Sequence, residues 1–165
     1  MHKILKRTGH SALVAIAVSA PLPALALSCM KPDPVQSIGW LQERGVEHTA
    51  VYGNLSFEGD FHSVVQNLPH EQSVQGQRKS AVLTGVDVAT GAQFDEVIAM
   101  ERMCSGPWCG GASPGKDLLI IIEEPRTDPT VRLGACGGHV FLSPAEEVID
   151  QVRETLHEKD RETER

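Results

Sequence analysis

The chain has 165 residues, with 15 Lys+Arg against 22 Asp+Glu and a formal net charge of −7. An acidic chain with no basic patch repels nucleic-acid phosphates and anionic lipid, so nucleic-acid binding is not expected. Only 4% of the residues are aromatic, which leaves covalent cross-links to carry part of the stability.

The N-terminal residues have the grammar of an export signal. Lys3, Lys6 and Arg7 precede the apolar run from Ala12 to Val18. Pro21 and Pro23 break that run, and Ala24-Leu25-Ala26 places small residues at a cleavage site. The run is too short for a bilayer, which takes ~20 apolar residues. Cleavage after Ala26 leaves 139 residues (165 less the 26 removed) starting Leu27-Ser28-Cys29. The removed segment holds three basic residues and no acid, so the mature charge is about −10. A second reading puts a lipid on Cys29, because Ala26-Leu27-Ser28-Cys29 approximates a bacterial lipoprotein signal with its leucine one position late. A membrane is a partner only in that case. The expected organisation is a signal peptide at 1–26, one domain at 27–157, and a charged disordered tail at 158–165. All four cysteines (Cys29, Cys104, Cys109, Cys136) lie in the mature part. An even count in an exported chain reads as two disulfides, with three connectivities open.

In chain order, Asp33 is placed to cap a helix with Pro34 at its first position. Val35, Ile38 and Leu41 then share a face, and Gly45 ends the helix. Val46 to Phe57 alternates partly and predicts a strand. Residues 58–77 are polar and predict a long loop or irregular insertion. Ser80 to Val88 predicts a strand kinked at Gly85, Thr90-Gly91 a turn, and Phe94 to Met103 another strand. Cys104 to Gly115 is dense in Gly, Pro and Ser and predicts a loop. Leu118 to Ile122 is an unbroken apolar run of strand length, suited to a buried central strand. A turn at 127–129 and a short strand from Thr130 to Cys136 follow. The last element is a helix with Ser143 as N-cap, Pro144 at the first position and Glu146 closing a capping box. Its apolar stripe is Val148, Ile149, Val152 and Leu156. Short strands flanked by two helices suggest a small barrel or sandwich.

Ser28-Cys29-Met30-Lys31-Pro32-Asp33-Pro34, followed by a short helix and a strand, resembles the start of the netrin-type module, which includes the tissue inhibitors of metalloproteinases. Val97 to Cys104, Leu118 to Glu123, Val131 to Cys136 and the helix from Pro144 resemble the elements that follow in that family. The resemblance implies a mainly β fold, an OB-type five-stranded barrel with a short N-terminal helix and a C-terminal helix. The family opens with C-x-C, and here Leu27 stands where the first cysteine belongs. The pairing implied is then Cys29–Cys136, with Cys104–Cys109 as the remaining pair. The family's inhibitors chelate zinc through the free amine of an N-terminal cysteine. Cleavage after Ala26 makes Cys29 the third residue, so inhibition by that chemistry is not expected.

Cys104, Cys109, Cys136 and His139 could instead form a Cys₃His zinc site or a thiol-redox centre, and this is the alternative from another class. An exported chain favours disulfides over zinc, and Cys104-x4-Cys109 in a Gly-rich loop lacks the C-x-x-C at a helix N-terminus that redox catalysis uses. No metal and no cofactor is expected. His48, His62, His70 and His139 show no ligand spacing. Glu58, Asp60 and His62 lie close in sequence, but such charges in a polar loop are ordinarily solvated. No nucleotide or hydrolase motif is present. Trp108, inside the Cys104–Cys109 loop, is the candidate contact for a partner, with folding back as a lid on the core as its competing role. Trp40 is read as packing. The sequence therefore reads as a non-enzymatic, periplasmic or secreted domain that binds an unidentified protein partner or has an accessory role in the envelope.

Overall fold

The computed structural model describes residues 29–66 and 74–163, with side chains through 158. The residues expected to form the signal peptide and its cleavage site, and His70, lie outside the described residues. Within them the order is α1 (Pro34–Glu43), β1 (His48–Ser56), β2 (Val64–Val65), β3 (Arg78–Asp87), β4 (Gln93–Arg102), β5 (Cys104–Ser105), β6 (Trp108–Cys109), β7 (Gly115–Glu123), β8 (Thr130–Leu133), β9 (Val140–Leu142) and α2 (Glu146–Thr163).

Five of the strands close into a barrel. β1, β3 and β4 form an antiparallel meander, β4 pairs with β8 in parallel, β8 meets β7, and β7 returns antiparallel to β1. That is the OB-type barrel expected, with one helix before it and one after. Its closure needs β1 and β3 to approach closely at Gly53 and Gly85, which face each other in register. A Cβ on Gly53 would lie 2.0 Å from the Thr84 carbonyl oxygen, and one on Gly85 would lie 2.3 Å from that of Tyr52. Glycine in a strand interior commonly marks such a bend.

The apolar run of β7 is buried because both of its faces are covered. Leu118, Ile120 and Ile122 point into the barrel with Val51, Leu83, Ile98 and Met100. Leu119 and Ile121 point outward, under Ile38 and Leu41 of α1 and Val152 and Leu156 of α2. The helices also touch directly, with Gln42 Nε2 donating to the Thr155 carbonyl at 3.0 Å. α1 begins as its sequence dictates, with Asp33 Oδ1 accepting from the Gln36 amide at 3.0 Å and Pro34 in the first turn. Gly45 leaves the helix at φ +67°, a conformation glycine adopts without cost.

Several expectations are corrected. Ser143 does not cap α2. It sits at φ +40°, and its amide donates to the Asp117 carbonyl, so the helix starts at Glu146 with Val148 and Ile149 bonded back to Ala145. α2 itself runs on into the charged segment as far as Thr163. Glu, Lys and Arg are good helix formers, and extending a formed helix needs only one bond per residue. The strand expected to run from Thr130 to Cys136 stops at Leu133. Trp40 is 55% exposed, because α1 packs through Ile38 and Leu41 and Trp40 lies off that face.

Candidate functional site

One end of the barrel gathers most of the residues singled out in the sequence. The Gly-rich stretch after β4 is not simply a loop. Its first residues fold into the hairpin of β5 and β6, with Cys104 opposite Cys109 and Ser105 opposite Trp108. Gly106 supplies the turn at φ +59°. The Cys104–Cys109 disulfide locks the hairpin at a Cα separation of 4.0 Å. β2 adds a third strand, with Val64 against Cys109 and Val65 against Trp108.

This small sheet is seated on the barrel by two glycines. A Cβ on Gly110 would lie 1.9 Å from the Leu133 carbonyl oxygen, and one on Gly111 would lie 2.2 Å from the backbone of Phe61 and His62. The close approach lets the Ala112 amide donate to the Phe61 carbonyl at 2.9 Å. Phe61, from the stretch read as polar loop, is 2% exposed and inserts into the barrel core. Two cations hold its segment down. Lys79 Nζ donates to the Glu58 carbonyl at 2.6 Å, and Arg102 Nη1 donates to the His62 carbonyl at 2.8 Å. The Arg102 guanidinium, 4.4 Å from the Phe61 ring centroid, is itself 4% exposed. Burial lowers its pKa, although arginine stays charged throughout the accessible range.

Phe61 therefore does the plugging that Trp108 was a candidate for. Trp108 is half-buried, with its ring beside Gly106. Around it, Val64 is 38% and Val65 65% exposed. From Met103 to Gly115 the chain has no charged residue. The result is an uncharged platform, tipped with apolar side chains, on an acidic protein.

Cys29 and Cys136 form the second disulfide, with Cα atoms 5.2 Å apart. The two disulfides have the pairing that the netrin-type resemblance implies, and no described cysteine is free. The zinc alternative needs three thiolates, and these bonds hold all three of its cysteines as disulfides. Its fourth member, His139, faces Glu123 instead. Lipidation of Cys29 attaches through the same sulfur that binds Cys136, so the lipid and this disulfide exclude each other.

His139 belongs to a charged ladder on the outer face of β4, β8 and β7. Arg132 lies 3.6 Å from Glu101 and bonds Glu123, whose side chain is 5% exposed. His139 Nε2 is 3.2 Å from Glu123 Oε1 but off the angle of a full hydrogen bond. Burial pushes the Glu123 pKa upward and is the largest single influence. The contacts with His139 and Arg132 together outweigh it and hold the carboxyl below its ordinary value. Glu123 has a strand partner on β8 and lies against both Arg132 and His139, which makes the ladder a brace between strands.

No family model matches the chain, and neither a curated protein nor a solved structure matches it significantly. The two disulfides fit an oxidising, extracytoplasmic environment.

Proposed function

We propose that this is an exported, netrin-like module that binds a protein partner in the periplasm or envelope through the platform of Val64, Val65 and Trp108. The observation behind this reading is the pinned, charge-free hairpin on a chain of net charge −7. Tryptophan is over-represented where binding energy concentrates. A hairpin closed by a disulfide gives up little conformational entropy when it docks, so more of the contact energy appears as affinity. Exposed valines arranged around one aromatic on a rigid sheet have the character of the apolar centre of an interface. The export signal at 1–26 supports delivery to the compartment where both disulfides form.

The test is site-specific photocrosslinking in cells that make the protein. A benzophenone amino acid in place of Val65 is expected to give a discrete adduct, and the same group in place of Glu146 on α2 is not. The Val65 adduct should disappear in a Trp108→Ala variant whose circular dichroism is unchanged. Equal adduct patterns from both positions, or none from position 65, would overturn the reading. Intact mass before and after reduction and alkylation checks the compartment. A chain starting at Leu27, with four cysteines that alkylate only after reduction, is expected.

A further inference from the structure

Beside the hairpin, three side chains that the binding reading does not use lie in a line, the first two of them hydrogen-bonded. Ser113 Oγ is 3.0 Å from His62 Nδ1, and His62 Nε2 is 3.3 Å from Asp60 Oδ1. Ser113 and His62 are 51 residues apart in the chain. They meet because the Phe61 plug and the Gly110-Gly111 contact bring segments 60–63 and 110–114 together. The His62 backbone is fixed by the Arg102 bond to its carbonyl, so the ring projects from a clamped position. A groove of about 300 Å³ opens alongside, lined by His62 and Ser113 and walled by Ala112, Pro114, Val140 and Leu142.

We propose that Ser113 is a nucleophile activated by His62, and that the groove accepts a small ester with a short apolar acyl group. The productive tautomer carries its proton on Nε2. The Asp60 carboxylate, 3.3 Å from that nitrogen, favours the proton there electrostatically. That leaves the Nδ1 lone pair to accept the Ser113 proton, which is the relation of base to nucleophile that covalent catalysis requires. In the first step the Ser113 Oγ–carbonyl bond forms, the serine proton moves to His62 Nδ1, and the ester C–O bond breaks. The alkoxide leaves as an alcohol by taking that proton. Water then attacks the acyl-serine, gives its proton to Nδ1, and releases the acid as Ser113 recovers its own. The sum is ester plus water to acid plus alcohol, with no change of oxidation state. Asp60 is 92% and His62 61% exposed, so water screens the charge of Asp60. Ser113 and His62 are the catalytic residues, and the acceleration belongs at the low end of the general-base range.

The test needs no knowledge of the natural ester. The purified, oxidised protein is treated with an alkyl fluorophosphonate, whose phosphorus bonds to an activated serine oxygen with loss of fluoride. The expected result is a single adduct that peptide mapping places on Ser113, absent in Ser113→Ala. Its rate should fall about 100-fold in His62→Ala, the low end of the effect of a positioned base. Both positions are at the surface, and unchanged circular dichroism checks that the variants fold. No adduct on Ser113 above that of the urea-unfolded chain would overturn the proposal. An adduct that forms equally fast in His62→Ala would also overturn it, because Ser113 would then react without its base. The assay uses the isolated protein, so its outcome is independent of the protein-binding reading.

Discussion

Replacing Phe61 with alanine tests whether the barrel end is built as described. The ring is 2% exposed and shares the interior cluster with Met100 and Leu133. It also lies under the Arg102 guanidinium. Truncating a buried phenylalanine to alanine costs about 3–5 kcal/mol, and the cost is greater where the surroundings cannot collapse into the space. Collapse is hindered here on two sides. Arg102 is fixed in register opposite Leu133, and the backbone of residue 61 is tied to Ala112. The expected loss is therefore in the upper half of that range, about 4–5 kcal/mol, a large part of the 5–15 kcal/mol that holds a domain folded. With a urea slope of about 2 kcal/mol/M, the unfolding midpoint should fall by about 2 M. Phe61→Leu refills most of the space and should cost under about 1.5 kcal/mol. Unfolding of the oxidised protein is followed by tryptophan fluorescence and far-ultraviolet circular dichroism. A midpoint shift below about 0.5 M for the alanine variant corresponds to ~1 kcal/mol at that slope. It would refute the plug, and with it the seating of the hairpin platform.

Two further predictions concern the ladder and the cross-links. A carboxyl whose folded pKa is depressed adds stability above its unfolded value of ~4.3 and loses it as pH falls through the folded value. The stability advantage of the parent protein over Glu123→Gln should thus be full at neutral pH and shrink below about pH 5. Urea midpoints of both proteins across that range check this, and a gap that stays constant into strong acid would contradict it. For the disulfides, Cys29–Cys136 spans a sequence separation of 107 and Cys104–Cys109 one of 5. Chain entropy assigns about 4.7 kcal/mol to the first and about 2 kcal/mol to the second. Paired serine substitutions at 29 and 136 should therefore lower the urea midpoint more than the pair at 104 and 109, and the reverse order would count against this account.

What could be read from the sequence was what local chemistry alone decides. Asp33 caps α1 and Pro34 opens it because the first turn of a helix needs an acceptor and tolerates a missing amide. Leu118 to Ile122 is apolar at every position because β7 is covered on one side by the barrel interior and on the other by α1 and α2. The same local rules failed where a distant partner took over. Ser143 and Glu146 had the spacing of a capping box, yet a bond to Asp117 holds the Ser143 backbone in a left-handed conformation and moves the helix start. Phe61 gave no periodic signal, being one apolar residue in a polar stretch, and only closure of the barrel gives it a place to go. The hairpin strands β5 and β6 are two residues each, too short for alternation to reveal. Their pairing depends on a disulfide that cysteine spacing left as one of three possibilities. Ser113 and His62 were invisible for the same reason, since the plug and the glycine contact bring them together across the barrel end. The platform and the serine line therefore depend on a shared scaffold. Loosening Phe61 should release both together, whereas changing Trp108 or Ser113 should affect one and spare the other.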